Sequence, residues 1–426
     1  MYIYMKNHKL EYKYYKYKYY KYKYLQLAGA NTKNINVNTD KLFLLDLKSQ
    51  NLDCSLDWDE QTPLTEWEGV EMNNENKLVR LKIDDDNLTM IPDSIGNLTD
   101  LTDLDLGNNF NTIPESIGGL TSLKTLSISN TLTTIPENIR HLTSLRTLHL
   151  GSNQLYDIPD SIGYLNHLTV LELNDNNLTK IPESIGDLTS LMSLDLSENR
   201  LNNLPESICG LTSLMTLDLS INRLNNLPES IGDLTVLSEL NLSHNLLRTI
   251  PEDIGSLTSL STLDLSDNQL PMIPDSIGGL TSLTTLNLDR NRLRRVPNSI
   301  EGLTNLRYLY ISHNRLEMIP EGIEHLTNLI HLNLANNHLY MIPEGIGRLT
   351  SLTKIDLSHN RLERIPVSFG HLVNLSHLYL ANNRLIVIPE SIGRLTNLRY
   401  LYLANNRLTM IPESIRNLIQ RTMSQS

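Results

Sequence analysis

An Ile-Pro, Leu-Pro or Val-Pro pair marks fifteen prolines from Pro92 to Pro412, with the first two intervals 22 residues long and the other twelve 23. A fixed period of this size decides the architecture before any local propensity does. One such unit cannot bury its apolar face alone and must stack on copies of itself. Aligned from Leu78, the copies read Leu-x-x-Leu-x-Leu-x-x-Asn-x-Leu-x-x-Ile-Pro-Glu-Ser-Ile-Gly-x-Leu-Thr-x, and they run through residues 78–420. Composition agrees: only 23 of 426 residues are aromatic, ten of them tyrosines in residues 1–24, so leucine and isoleucine must fill the core.

Leucines at positions 1, 4 and 6 of each copy (Leu191, Leu194 and Leu196 in one) turn inward around a short strand, while positions 3, 5 and 7 face the other way. Strands from successive copies can then stack in parallel. At position 9 an asparagine recurs from Asn108, Asn130 and Asn153 through Asn406, with Asp86 in the first copy. An amide inside a leucine core is tolerable only when hydrogen-bonded, so this column is expected to bridge backbone groups of adjacent coils. The Ile-Pro-Glu-Ser-Ile-Gly segment predicts a compact helical turn on the outer side, with proline at its first position and glycine ending it. Thirteen copies place Asp or Glu after the proline, Asn298 and Val367 being the departures, as expected of a solvated helix start.

The unit resembles the leucine-rich repeat family, and its 23-residue form is similar to the intracellular Ras-group, Ras-suppressor and scribble-like subclass. Plant extracellular repeats carry a Gly-containing insertion before Ile-Pro that is absent here. The resemblance covers residues 78–420 and implies an α/β fold: a horseshoe solenoid with a parallel concave sheet and short helical turns on the convex side. It implies much less about function, because one fold hosts many jobs.

Residues 40–77 read as an N-terminal cap holding the two tryptophans, Trp58 and Trp67, and the last repeat serves as the C-terminal cap before a tail at 421–426. The run from Trp67 to Val70 resembles the cap of plant-type repeat proteins without its flanking cysteines. Cys54 and Cys209, 155 residues apart, give no disulfide framework, which points to a reducing compartment. The Asn-Leu-Thr triplets at Asn87, Asn97 and Asn177 arise from the repeat itself. Residues 1–39 are a Tyr/Lys tail and linker expected to be disordered. The tail could engage single-stranded nucleic acid or an anionic surface, but a coding-repeat extension is the simpler reading. Seven lysines against Glu11 give residues 1–24 a net of +6, so the rest of the −12 chain carries −18. That acidic body disfavours nucleic acid.

The exposed strand columns change character along the chain. From Glu172 through Asp195, Asp218 and Asp264 they are acidic, which suits a docking strip for a basic partner. Paired carboxylates also serve glycosidases, but no pocket follows from the spacing. Beyond repeat 10 the columns turn aromatic and basic: Arg307, Tyr308, Tyr310, His331, Lys354, His377, Tyr379, Arg399, Tyr400 and Tyr402. Tyrosine and arginine bury large area with few rotors and keep a polar tip, as interface hot spots do. His313, His331, His359 and His377 stand two strands apart in like-placed pairs, too far for one metal. Arginines at position 10, among them Arg200, Arg223 and Arg292, read as a structural or solubilising rim.

With no phosphate-binding glycine loop, no Cys–His pairing and no HExxH, the expectation is a non-enzymatic scaffold needing no cofactor or metal. It is expected to be a cytoplasmic monomer without a membrane span, binding a protein partner on the concave face, with a role in signal transduction. The alternatives are a substrate-recognition adaptor for a separate enzyme such as a ubiquitin ligase, and an extracellular recognition or inhibitor protein.

Overall fold

The computed structural model describes residues 39–51, 54–58, 61–84, 87–107 and 110–416. The Tyr/Lys tail, Asp86, Asn108 and the C-terminal tail lie outside them. Two compact units follow one another, the first ending at Ser193 and the second beginning at Leu194. Each is a solenoid of repeats with a parallel sheet on one side and short 3-10 turns on the other.

In the first unit, helix α1 (Thr39–Gln50) buries Phe43, Leu44 and Leu47. Strand β1 (Val70–Met72) pairs antiparallel with β2 (Leu78–Ile83). From β2 onward the strands β3 (Asp103–Leu106), β4 (Thr125–Ile128), β5 (Thr147–His149) and β6 (Val170–Glu172) are parallel, each one repeat out of register with the last. Trp58 and Trp67 stack with centroids 5.2 Å apart and are 3% and 4% exposed. Asn51, just after α1, accepts the Thr89 and Met90 N–H groups and donates to the Leu47 and Met90 carbonyls. The start of the solenoid is thereby closed by a borrowed copy of the repeat's own asparagine bond. Gly69 is required where it sits, at φ +76, because a Cβ there would lie 1.8 Å from the Lys82 carbonyl oxygen.

Strand β7 (Ser193–Asp195) falls where one unit gives way to the next. In the second unit β8 (Thr216–Asp218), β9 (Glu239–Asn241), β10 (Thr262–Asp264), β11 (Thr285–Asn287) and β12 (Tyr308–Tyr310) pair in parallel. The same 23-residue register continues through β13 (His331–Asn333), β14 (Lys354–Asp356), β15 (His377–Tyr379) and β16 (Tyr400–Tyr402). Leucines at positions 1, 4 and 6 are inward as expected: Leu260, Leu263 and Leu265 are at most 1% exposed. Each such burial stabilises by about 2 kcal/mol.

The asparagine column forms the expected bridge. Asn268 Oδ1 accepts the Leu247 N–H of the preceding coil, and Nδ2 donates to Leu242 O of that coil and to Leu265 O of its own. The pattern repeats at Asn245, Asn291, Asn314, Asn337, Asn360 and Asn383, all 4–7% exposed. Asn130 departs from it. Its copy is one residue short, and the residue lies exposed at φ +89 while Asn153 Oδ1 receives the Leu132 N–H. The deletion moves Asn130 onto the corner that position 8 occupies elsewhere.

The outer turns also differ in detail from expectation. Proline stands one residue before the 3-10 segment in extended backbone, as Pro274 (φ −69, ψ 157) does before Asp275–Gly279. Its fixed φ suits the incoming strand-like arm, so it sets the entry to the turn rather than its first residue. The glycine answers to crowding, not to a left-handed cap. A Cβ on Gly255 would meet the Ser276 carbonyl oxygen of the next coil at 2.4 Å. Acids after proline reach the following coil, as Glu252 Oε2 accepts the Ser276 N–H at 3.2 Å.

Replacing Asn268 with Ala leaves the Leu247 N–H and the Leu242 carbonyl unpaired in a dry core. The expected loss is about 2–4 kcal/mol in denaturant unfolding, with faster hydrogen exchange at the Leu247 amide. A loss below about 0.5 kcal/mol would mean the backbone finds other partners.

Candidate protein-binding surface

The parallel register places the aromatic and basic residues in two adjacent columns of the second unit. Tyr308, His331, Lys354, His377 and Tyr400 align across β12–β16, and beside them run Tyr310, Asn333, Asp356, Tyr379 and Tyr402. Leu309, Leu332, Ile355 and Leu378 between the first four pairs are buried and Leu401 in the last is half-buried, so the two neighbours of each face outward together. The β period alone therefore assembles the surface from residues 23 apart.

Ring geometry divides it into two clusters. Tyr310 meets His331 edge-on at 5.0 Å. At the other end His377 stacks on Tyr400 at 4.6 Å, and Tyr379 on Tyr402 at 4.9 Å with planes 6° apart. Lys354 joins this second cluster with Nζ 5.5 Å from the Tyr379 ring centroid, a cation–π contact. Tyr308, Tyr400 and Tyr402 remain 38%, 48% and 47% exposed, so the stacks are held in position while their faces stay open. Arg307 and Arg399, each just before a strand, are exposed at the margin.

Electrostatics follow from burial. His331 is pushed down to about 4, first by burial and then by the Lys354 ammonium, with Asp356 opposing. His377 is lowered for the same reasons, with Arg399 adding to Lys354. Burial raises Tyr310 and Tyr379 above the ordinary phenol range, helped by Tyr308 and Tyr402 respectively. At neutral pH the imidazoles are therefore uncharged rings, and positive charge comes from Lys354, Arg307 and Arg399.

Position 7 of the second unit supplies a residue the columns did not single out. It is serine or alanine in every described copy except at Asp289. That carboxyl accepts the Ser312 N–H and faces Tyr310, and its pKa is raised chiefly by burial. The lone acid in a small-residue column was the available signal.

The acidic residues have a different geometry. In the first unit Glu172 lies 2.6 Å from His149 Nδ1. In the second, Asp195, Asp218 and Asp264 each use Oδ1 to accept the N–H and hydroxyl of the serine two residues on, Ser197, Ser220 and Ser266. The second oxygens of Asp218 and Asp264 take the amides of Asn241 and Asn287 at 3.0 Å. These carboxylates fasten the turn leaving each strand. Among the described residues no three His, Cys, Asp or Glu side chains converge as metal ligands, and no helix is long and apolar enough to cross a membrane. Cys209 is buried, which pushes its thiol up to about 11 and leaves little thiolate for chemistry.

The His331 shift has a sign that can be checked. The unfolded chain takes up this proton near pH 6.5, the folded chain only near 4, so the linked stability is full above about 6.5 and falls as pH drops toward 4. A ring titration by NMR is expected to show a midpoint near 4, and His331→Phe to lose less stability than wild type between pH 7 and about 4.5. A midpoint at the ordinary value overturns the burial account.

A family profile described as leucine-rich repeat region matches residues 152–247, 240–329 and 320–420, and one described as leucine rich repeat matches 76–132. Among solved structures, a leucine-rich repeat protein of Leptospira interrogans is 33% identical with a TM-score of 0.65, over 81% of this chain and 94% of that one. An internalin of Listeria monocytogenes is 27% identical, TM-score 0.60, over 72% and 87%. The plant peptide hormone receptor RGFR1, solved in complex with RGF2, is 26% identical, TM-score 0.50, over 80% and 72%. Comparison with curated protein sequences gives no match. Proteins of this fold generally mediate protein–protein interaction and are typically non-enzymatic. The chain belongs to the leucine-rich repeat family.

Proposed function

We propose that this protein is a non-enzymatic interaction scaffold that grips a protein partner on the concave sheet face of its last five repeats. The observation that carries the reading is the pre-stacked, open-faced pair of ring clusters on β12–β16. Rings already fixed by their neighbours lose little rotamer freedom on binding, which is the quality that makes tyrosine a hot-spot residue. The neutral imidazoles add polar tips without the desolvation penalty of charge.

A protein partner suits the chain better than nucleic acid, because the net charge of −12 opposes a phosphate backbone. Cys54 and Cys209, which are not joined as a disulfide, support residence in the cytoplasm. Similarity of the 23-residue unit to the Ras-group subclass supports a role in intracellular signalling. The protein acts as a monomer in this reading, with the tyrosine face left free for the partner.

Changing Tyr308, Tyr310, Tyr400 and Tyr402 together to Ala is expected to abolish capture of the principal partner in pull-downs. Thermal unfolding should stay nearly unchanged, since none of the four is a core residue. Crosslinking mass spectrometry from native lysate names the partner and the face at once. Undiminished capture by the quadruple variant, or crosslinks confined to other faces, overturns the proposal.

A further inference from the structure

Position 10 of the last six repeats carries Arg292, Arg315, His338, Arg361, Arg384 and Arg407. Backbone bonds set them in a row. The N–H of each from Arg315 onward donates to the position-11 carbonyl of the preceding coil at 2.8–3.0 Å, as Arg361 does to Leu339 O and Arg384 to Leu362 O. With coils about 4.8 Å apart, the six side chains cover about 24 Å along one flank of the second unit. All five arginines are exposed, and among the described residues none enters an ion pair within 4.0 Å. Arginines elsewhere do pair: Arg290 reaches Asp267 at 4.0 Å and Arg348 reaches Glu324 at 3.2 Å. An internal pairing role for this column is therefore not what the side chains adopt.

Exposed apolar side chains lie between the charges on this flank. Met318, Met341, Val387 and Met410, three residues further along their coils, are 47%, 44%, 50% and 67% exposed. Positions 10, 12 and 13 of these six repeats hold eight arginines against two glutamates, a net of +6 on a protein whose total is −12. Like charges about 5 Å apart repel one another, exposed methionines carry the hydration penalty of apolar surface, and both costs are relieved by one kind of occupant.

We propose that this flank binds an extended acidic segment of a polypeptide, with carboxylates on the arginine row and apolar side chains between them on the methionines. About seven extended residues span the row. Methionine adapts its shape to varied apolar side chains, and arginine takes a carboxylate in a bidentate fork. A continuous polyanion fits less well. Its phosphates or sulfates leave the methionines uncovered, meet Glu317 and Glu363 within the flank, and run on into an acidic body. The surface is separate from the tyrosine columns, so the inference stands whether or not those bind a partner.

The test is fluorescence anisotropy on the full chain, with a labelled peptide of about twelve residues alternating Asp or Glu with Leu. An oligothymidylate and a sulfated oligosaccharide of similar length run in parallel. Saturable peptide binding is expected, weakened roughly tenfold or more by R315Q/R361Q/R384Q/R407Q and by raising salt. Met318→Glu with Met341→Glu, both outside the core, is expected to weaken it as well without lowering the melting temperature. Tyr308→Ala with Tyr400→Ala should leave it unchanged. Absence of saturable binding, equal binding by the glutamine variant, tighter binding of either polyanion, or loss in the tyrosine variant overturns the proposal.

Discussion

A single amide side chain, buried once per coil, is the interaction on which the rest depends. Leucine contacts are non-directional and would tolerate coils sliding past one another. The asparagine is not so tolerant. It ties an N–H and a carbonyl of the preceding coil to carbonyls of its own, and so fixes the step between coils as well as their adhesion. With the backbone bonds between strands, that fixed step sets the strand register, the proximity of glycine to the next coil's serine, and the alignment of surface columns.

Two columns become a surface only because the step is uniform. Tyr310 and Tyr402 are 92 residues apart in sequence, yet they belong to one face because every intervening coil advances by the same amount. The concentration of rings on β12–β16 and of unpaired arginines on the neighbouring flank places two chemically different surfaces on the same repeats. The acids of the earlier strands have no comparable freedom, since one oxygen of each aspartate is committed to the turn beside it and the second oxygens of Asp218 and Asp264 to the next strand's asparagine.

Much of this was legible in the sequence, because the period converts position in the chain into position on the coil. The inward leucines, the bridging amide and both surface columns follow from alignment alone. Asn130 was misplaced for the same reason: an alignment that keeps the asparagine in phase hides the missing residue that shifts it to the corner. The reason for the glycine of the outer turn is the carbonyl of another coil, information that no single unit contains. The depressed His331 and the role of Asp289 depend on the depth at which neighbouring rings bury them, which spacing does not encode.

The corner at position 8 repeats with φ between +52 and +57 from Ser152 to Asn405. Asparagine and aspartate accept that backbone readily, but Ile221, His244 and Arg290 hold it as well, because their N–H groups are fastened to the next coil's carbonyls. The coil thus imposes the conformation, while the side chain is left to meet its counterpart on the next coil, as Asn382 meets His359 and Asn405 meets Asn382. Position 8 therefore varies widely in side chain, from Ser152 to Ile221 to Arg290, at one unchanging backbone conformation.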